Sequence, residues 1–216
     1  KVGPFLIQRD EHKYLLFPQI QQEQSPILEL LMDFVAHGKD YEPNTTALIK
    51  EVVKPGEIAI DVGASLGYFT LLLARQVGPT GKVISIEPTT HQFPYLTSNV
   101  KLNKYEDRVI LGNFALWDKE EILQMPLNSG TKFEAKCLSL DSVLQSIGIN
   151  KVDFIKMDID GSEPWALRGM EKTIQNSPDL KMVIEYYPKY IEMAGGDPKE
   201  VLAFLDKYFN YGEIAG

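Results

Sequence analysis

The sequence predicts an α/β fold: a doubly wound, mostly parallel sheet of the Rossmann-like kind, with helices on both faces. Short apolar runs rich in Val and Ile alternate with helix-length amphipathic segments, which is typical of parallel crossover units. Acidic residues and Asn follow these runs, as expected where parallel strands end at one edge of a sheet. The 216 residues, 44% of them hydrophobic, suffice for one domain with a buried core.

Residues 1–40 are predicted to form an N-terminal cap region outside this sheet. The segments "PFLI" at 4–7 and "YLLF" at 14–17 flank a polar stretch and indicate a hairpin or two short strands. A helix is expected over 25–38, because Ser-Pro opens it, apolar residues recur at helical spacing and a glycine ends it. The remaining chain, 41–216, is assigned to one main domain.

The main domain is predicted to begin with a helix and then to alternate strands with helices. Segments rich in Val and Ile predict strands at 57–61, 82–87, 108–111, 152–158 and 181–187. Amphipathic segments predict helices over about 44–53, up to 77, over 91–103 and over 198–208. Residues 125–140 indicate a loop followed by an extra strand or an edge hairpin.

The net charge and the cysteine content of the chain indicate which kinds of binding partner and which cellular compartment to expect. A net charge of -8 and a pI near 5.0 argue against a surface that follows nucleic-acid phosphates, since such binding depends on clustered Lys and Arg. The only cysteine, Cys137, excludes a disulfide within this sequence and favours a reducing compartment. No run approaches the roughly 20 apolar residues of a membrane-spanning helix. We expect a cytoplasmic protein whose partner is a small molecule rather than a nucleic acid or a membrane, with an oligomeric state that the sequence leaves open.

Residues 59–70, "AIDVGASLGYFT", place an acid at the end of the first strand of the sheet, then a glycine turn, then a helix start. Glycines suit a tight strand-to-helix turn where backbone approaches a ligand. Glu87 lies 20 positions beyond Gly67. At about that offset, an acid ending the second strand reaches the ribose hydroxyls of an adenosine-containing ligand. The turn and the acid together predict a nucleoside site.

The turn lacks the G-x-G-x-x-G pattern with which dinucleotide-binding proteins admit a pyrophosphate. Asp61, two positions before the first glycine, would repel a pyrophosphate and attract a ligand that carries an ammonium group. S-adenosyl-L-methionine is such a ligand, and we predict it as the cofactor.

Six motifs, in this order, resemble the FkbM-type family of S-adenosylmethionine-dependent methyltransferases. They are "DVGASLGYFTLLLA", "GKVISIEP", the spaced Asn99 and Asn103, "LDSVL", "VDFIKMDIDGSE" and "MVIEYYP", and they cover roughly residues 40–190. The resemblance implies the class I methyltransferase fold, and O-methylation of a hydroxyl on a sugar, polyketide or similar natural-product acceptor.

The resemblance also implies which residues hold the cofactor. The expected contacts are Glu42, Asp61, Gly63, Ala64, Ser65, Gly67, Tyr68, Phe69, Glu87, Pro88, Asn113, Phe114 and Asp158. Of these, Glu87 is expected at the ribose, Asn113 and its neighbour at the adenine, and Asp158 beside both the methionine part and the substrate. The Asp61-to-Phe69 segment is expected along the methionine end.

Three features depart from the family pattern. Ser65 stands where the family commonly has Asn, and Asp160 stands where it commonly has Glu. The shorter Asp160 moves its carboxylate by one methylene. The segment after 208 is too short for the family's closing antiparallel strand pair, so we expect that pair to be incomplete in this chain.

The implied mechanism is in-line methyl transfer, in which the protein aligns the reacting atoms and helps to remove a proton. The candidate catalytic residues are acids near the strand ends and a lysine able to tune them: Asp158, Asp160, Glu163, Glu185 and Lys156. Each also suits a structural role. Lys156 and Asp158 share a strand face and suit a buried ion pair. Asp160 and Glu163 suit a helix N-terminus.

Alternatives stay open. The chain is also compatible with a nicotinamide-dependent oxidoreductase, which the missing dinucleotide motif disfavours, and with a catalytically silent nucleoside-binding domain. The carboxylates would suit Mg²⁺, but His12, His37 and His91 lack the spacing of metal ligands and we predict no resident metal. Trp165, at helical spacing with Met170, is expected in the core.

Overall fold

Five parallel strands form the central sheet of the computed structural model, which describes residues 5–9, 12–16, 40–126 and 131–212. The strands in chain order are β1 (Phe5–Arg9), β2 (His12–Leu16), β3 (Ile58–Val62), β4 (Lys82–Ile86), β5 (Val109–Gly112), β6 (Ala115–Leu116), β7 (Glu121–Pro126), β8 (Lys132–Leu138), β9 (Phe154–Met157) and β10 (Lys181–Ile184). The helices are α1 (Pro43–Val52), α2 (Tyr68–Val77), α3 (Phe93–Leu102), α4 (Leu140–Ser146), α5 (Glu163–Arg168), α6 (Glu171–Gln175), α7 (Pro188–Met193) and α8 (Pro198–Tyr208).

The central sheet has the spatial order β10–β9–β3–β4–β5, with every neighbouring pair parallel. The direction in which successive strands are added reverses at β3, whose neighbours are β4 on one side and β9 on the other. In a doubly wound sheet this reversal opens a crevice beyond the carboxyl ends of the strands, where ligands bind. The predicted α/β fold class is confirmed.

Alternate side chains of the strands feed two hydrophobic cores, one on each face of the sheet. On one face Ala59, Val83 and Phe154 pack against α1, α2 and α3. On the other, Ile60 and Ile84 pack against the helices from α4 to α8. Because both faces are covered, the strands are apolar on both sides, which explains their unbroken Val- and Ile-rich sequences.

A separate three-stranded sheet lies between β5 and α4 in the chain. Its order is β6–β8–β7, with β6 parallel and β7 antiparallel to β8. The predicted edge hairpin over 125–140 is therefore present, although it begins earlier, at Glu121. The two-residue strand β6 was not predicted, because two residues carry no alternation pattern to read.

The N-terminal strands and α1 agree with the sequence, since β1 and β2 pair antiparallel and α1 begins at Pro43. The helix expected over 25–38 lies outside the described residues, and the division into 1–40 and 41–216 stays a prediction. After β10, the described residues hold two helices and no strand. Among the described residues, no helix combines the length and the apolar character needed to cross a membrane.

The glycine turn after β3 depends on the absence of a side chain at Gly63. Gly63 has a φ of 80°, and a Cβ there would lie 1.9 Å from the Asp158 carbonyl oxygen. Gly148 has a φ of 72°, but a Cβ there would meet nothing within 4 Å. A side chain at Gly148 would therefore cause backbone strain alone, whereas one at Gly63 would cause backbone strain and a steric clash.

We predict that Gly148→Ala lowers the free energy of unfolding by about 1–2 kcal/mol, the cost of a left-handed conformation. Gly63→Ala is expected to lose about 1–3 kcal/mol more, because a packed backbone must also move. Urea denaturation of both variants measures the difference. Equal losses would show that the turn and the loop after β9 are not held in contact.

Candidate active site

A cavity of about 440 Å³ lies at the carboxyl ends of β3, β4 and β9. That size falls within the range of small-molecule sites. The predicted site residues that line it are Gly63, Ala64, Ser65, Tyr68, Phe69, Glu87, Pro88, Lys156, Asp158 and Asp160. The structure thus brings together residues from three strand ends that lie up to 97 positions apart in the sequence, from Gly63 to Asp160.

The turn between β3 and α2 forms one wall of the cavity. The Gly63 and Ala64 N–H groups both donate to the Ile86 carbonyl oxygen at 3.0 Å, which fixes the turn to the end of β4. Ser65 has a φ of 51°, and its buried Oγ has no hydrogen-bond partner among the described residues. A buried hydroxyl without a partner costs free energy, so a polar ligand atom in the cavity would satisfy it.

Gly67 was predicted as a cofactor contact, but it does not line the cavity. Its φ of 96° starts helix α2, and a Cβ there would lie 2.9 Å from the Leu96 side chain. The glycine is therefore needed for the turn and for helix packing, and its contact with the cofactor stays a prediction.

Asp61 also lies in a different place from the prediction. Its side chain is fully buried, and Oδ2 accepts a hydrogen bond from Thr70 Oγ1 at 2.6 Å. Burial raises the pKa of this carboxyl, and the Lys156 charge and the Thr70 hydrogen bond oppose that effect. The carboxylate is absent from the cavity wall, and its buried Oδ1 has no hydrogen-bond partner among the described residues, so its pairing with the cofactor stays a prediction.

Glu87 lines the cavity and joins two of its walls. Its Oε2 accepts from the Ser65 N–H at 2.8 Å, and its Oε1 accepts from the Thr89 N–H at 2.8 Å and from Thr89 Oγ1 at 2.5 Å. A carboxylate offers about four acceptor positions. Three of these positions already accept hydrogen bonds, so one ribose hydroxyl can donate to the fourth. A second ribose hydroxyl would have to replace one of the hydrogen bonds from Thr89.

The wall beyond β5 is formed by residues two positions further along the chain than predicted. Asn113 is turned toward the backbone, where Nδ2 donates to the Glu87 carbonyl at 2.8 Å. The Phe114 ring lies over Gly112, where an added Cβ would be only 2.4 Å away. Neither lines the cavity, whereas Ala115 and Leu116 do. The contacts predicted at Asn113 and Phe114 stay a prediction, and the side chains that line this wall are the two apolar ones.

Trp165 was expected in the core, but it lines the cavity. Its ring stacks on Trp117 with centroids 4.7 Å apart and planes 6° apart. These are the only tryptophans of the chain. Met170, expected beside Trp165, is fully buried in the core. Helical spacing could not predict this position of Trp165, because its partner Trp117 comes from a distant segment, directly after β6.

The acidic side of the cavity centres on a buried ion pair. Lys156 Nζ lies 3.1 Å from Asp158 Oδ2, and only 5% of the Lys156 side chain is exposed. Burial favours the neutral amine, but the charges of Asp158 and Asp61 outweigh it and raise the pKa of Lys156. Burial also opposes ionisation of Asp158, yet the Lys156 charge and a hydrogen bond from Glu185 lower its pKa. Lys156 stays positive and Asp158 negative.

Glu185, at the end of β10, shares this environment. Burial first, and then the hydrogen bond and charge of Asp158, raise its pKa to about 8. Glu185 therefore carries a proton near neutral pH and donates it to the Asp158 carboxylate. Carboxylate oxygens of Asp158, Asp160 and Glu185 all lie within 4.8 Å of one another. Glu185 itself does not line the cavity, so it acts on the site through Asp158.

Two other predicted acids have supporting positions. Glu163 is 2% exposed, and its Oε1 accepts from the Ile159 and Gly161 N–H groups at 3.3 Å. It shapes the loop after β9 and does not line the cavity, and its catalytic role stays a prediction. Glu42 does not line the cavity either, but its neighbour Tyr41 does.

The sequence analysis missed several other residues of the cavity wall. They include Thr89, Gln92, Leu123, Met125, Phe133 and Ala194. Thr89 was within reach of sequence reasoning, because it lies two positions after Glu87 in the same loop. The others flank helices or belong to the three-stranded sheet, and no local pattern predicts which of their side chains face the cavity.

Comparison with known proteins gives a family match. Residues 61–212 match the family model described as the methyltransferase FkbM domain. A curated relative from Pyrococcus horikoshii, a tRNA(Phe) (4-demethylwyosine(37)-C(7)) aminocarboxypropyltransferase, is 41% identical over 59 residues, which are 27% of this chain and 20% of that protein. The chain thus spans about a fifth to a quarter of the length of the curated relatives it matches.

Two solved structures share the fold. A protein described as an rRNA methylase from Clostridium thermocellum has a TM-score of 0.51 at 17% identity, over 78% of this chain and 80% of that one. A protein described as an O-methyltransferase from Klebsiella pneumoniae has a TM-score of 0.51 at 16% identity, over 88% and 81%. At these identities the likeness concerns the fold alone.

The raised pKa of Glu185 predicts a pH-dependent stability. In the unfolded chain Glu185 loses its proton near the ordinary value of 4.5, whereas the folded protein retains it to about 8. Its contribution to stability is therefore complete below 4.5 and is lost as the pH rises to about 8. Glu185→Gln keeps a donor toward Asp158 but cannot titrate.

We predict that, between pH 5 and about 8, the wild-type free energy of unfolding falls relative to that of Glu185→Gln, and that the difference is constant at higher pH. Urea denaturation at a series of pH values measures this difference. Parallel curves for the two proteins across that range would contradict the assignment of the proton to Glu185.

Proposed function

The chain belongs to the FkbM methyltransferase family, with S-adenosyl-L-methionine as its cofactor, and from this premise we propose that it methylates a hydroxyl oxygen of a sugar or natural-product acceptor. The observation that carries the proposal is the continuity of one cavity from Glu87 to Asp158. This cavity offers hydrogen-bond acceptors for a ribose at one end and a set of carboxylates at the other.

The residues present fit the cofactor along the whole cavity. Glu87 retains an acceptor position for the ribose, and the unsatisfied Ser65 hydroxyl lies in the adjoining turn. Ala115 and Leu116 offer an apolar surface suited to adenine. When bound, S-adenosylmethionine supplies a methyl group already activated by its positive sulfur. The negative Asp158 at the far end favours such a charge.

The acidic cluster can receive the proton that the acceptor hydroxyl loses. Lys156 keeps Asp158 ionised, so Asp158 is ready to accept a proton from a hydroxyl placed in the cavity. Glu185 holds its own proton and steadies the orientation of the Asp158 carboxylate. Asp160, exposed and on the cavity wall, is the second acceptor within reach. General base catalysis of this kind contributes about 100-fold to 10,000-fold.

The single buried thiol and the acidic surface fit a cytoplasmic enzyme that acts on a small molecule. Cys137 is fully buried, and burial raises its pKa to about 11, so it stays an unreactive thiol. We place the acceptor beside Asp158 and Asp160, where its hydroxyl meets the carboxylates.

Transfer of the aminocarboxypropyl group is the alternative reaction of the same cofactor, by analogy with the name of the Pyrococcus horikoshii relative. The two reactions leave different nucleosides. Methyl transfer releases S-adenosylhomocysteine, whereas aminocarboxypropyl transfer releases 5′-methylthioadenosine. A product assay therefore decides between them without knowledge of the acceptor class.

We predict that the wild-type protein, assayed with a panel of sugar and polyketide hydroxyl acceptors, releases S-adenosylhomocysteine, and that Asp158→Asn lowers kcat about 100-fold to 10,000-fold. Chromatography of the nucleoside products measures both. Release of 5′-methylthioadenosine would establish the alternative reaction, and release of neither nucleoside from any acceptor would indicate a silent binding domain.

A chelator provides the control for metal assistance. Because Lys156 already pairs with Asp158 and Glu185 already carries a proton, the cluster needs no divalent ion to balance its charge. Activity in EDTA is expected to equal the untreated activity. A loss that added Mg²⁺ restores would show instead that the three carboxylates bind a metal.

We also predict that Glu87→Gln weakens binding of S-adenosylhomocysteine about tenfold to hundredfold, because a charged hydrogen-bond acceptor for the ribose is lost. Isothermal titration calorimetry measures the affinity. The exposed Glu106, changed to Gln, is the matched control and should bind as the wild type does. Affinity within twofold of wild type for Glu87→Gln would contradict the ribose assignment.

A further inference from the structure

Tyr41 lines the cavity although it lies 20 positions before the first residue of the family match. The surrounding backbone holds it firmly. Its N–H donates to Tyr68 Oη at 3.2 Å, and its carbonyl accepts from Thr46 Oγ1 at 2.7 Å. Both peptide groups of Tyr41 are thus bound to helices α1 and α2, so the ring has a defined position at the cavity wall.

The Tyr41 ring belongs to an aromatic cluster at the acidic end of the cavity. Its centroid lies 5.5 Å from that of Tyr68 and 5.9 Å from that of Phe69. Lys156 Nζ lies 4.7 Å from the Phe69 centroid. The cavity therefore presents electron-rich ring surfaces at the place where a cation is already held. Aromatic faces attract cations through their quadrupole.

Glu42 controls the hydroxyl of this tyrosine. Burial first, and then the charges of Glu42 and Asp158 and a hydrogen bond to Glu42, raise the pKa of Tyr41 well above its usual value. The phenol stays protonated and donates to the Glu42 carboxylate. Glu42 has a φ of 42°, a left-handed conformation that residues with a side chain seldom adopt. Such conformations persist where the surrounding structure enforces them, often at functional sites.

The charges around Tyr41 favour a cation over a neutral ligand. Glu42 and Asp158 are negative neighbours of the phenol, and Lys156 is the positive one. Two negative charges thus stand against one positive charge around the phenol. The cofactor carries a positive sulfonium, whereas the demethylated product carries a neutral thioether of nearly the same shape. Only the charge distinguishes them.

We propose that Tyr41, with Glu42 bound to its hydroxyl, selects the sulfonium cofactor over the thioether product at the acidic end of the cavity. The proposal rests on the proposed function. Its consequence is kinetic, because a site that holds the product less tightly than the cofactor releases it after each transfer. Loss of the tyrosine should therefore increase product inhibition.

The test compares the binding of three ligands to the wild type, to three variants of the Tyr41–Glu42 pair and to one control variant. S-adenosylmethionine and sinefungin are cations at this position, sinefungin through an ammonium group, and S-adenosylhomocysteine is neutral there. Affinities are measured by calorimetry for the wild type, Tyr41→Leu, Tyr41→Phe and Glu42→Gln, with Tyr105→Phe as a control outside the cavity. Thermal melting identifies any variant that fails to fold.

Tyr41→Leu is expected to weaken both cationic ligands about threefold to tenfold, the range of a cation–aromatic contact, and S-adenosylhomocysteine less than twofold. The quantity compared is the ratio of the affinity for a cationic ligand to the affinity for S-adenosylhomocysteine. Tyr41→Phe and Glu42→Gln should lower this ratio as Tyr41→Leu does, but by a smaller factor. The control should leave the ratio unchanged.

Equal weakening of all three ligands in Tyr41→Leu would overturn the proposal, since it would show that the ring only shapes the cavity. An unchanged ratio in Tyr41→Leu and Glu42→Gln would overturn it as well. In both cases the wild type still binds the ligands, so the proposed function stands. Failure of the wild type to bind any of the three would defeat the proposed function and the selection mechanism with it.

Discussion

The ammonium group of Lys156 is the charge around which the site is organised. It lies at the end of β9, in register with Asp61 on β3, and it pairs with Asp158 just beyond the strand. A buried cation requires negative partners, because desolvation of an unpaired charge is costly. The lysine keeps Asp158 ionised, and the Asp158 charge in turn helps to keep the proton on Glu185. The cavity wall therefore carries the ionised Asp158, with the protonated Glu185 behind it.

A row of buried polar side chains, Asp61, Thr70 and Ser85, extends from Lys156 across the sheet toward β4. Asp61 stands in register with Ser85 on β4, and Thr70 of α2 bridges them, with Oγ1 2.6 Å from Asp61 Oδ2 and 2.8 Å from Ser85 Oγ. The row lies directly beneath the glycine turn. It explains why an acid lies within the apolar strand β3, since Asp61 is bonded to Thr70 and balances the charge of Lys156.

The sequence predicted the elements that repeat with a clear period and the residues that follow them at the sheet edge. The five strands, the glycine turn and Glu87 belong to that class, because one register places all strand ends together. The sequence could not predict which of these side chains face the cavity and which face away from it. Asn113 binds backbone, Glu163 binds its own loop and Trp165 faces the cavity, and each depends on contacts with distant segments. Tyr41 was missed although its neighbour Glu42 was named, since adjacent residues point in different directions.

A crystal structure of the complex with S-adenosylhomocysteine tests the central claim most directly. The account predicts that the ribose hydroxyls lie within hydrogen-bond distance of Glu87, the adenine lies against Leu116, and the sulfur lies between the Tyr41 ring and Asp158. Density for the ligand outside this cavity, or a ribose turned away from Glu87 toward the acidic end, would contradict it.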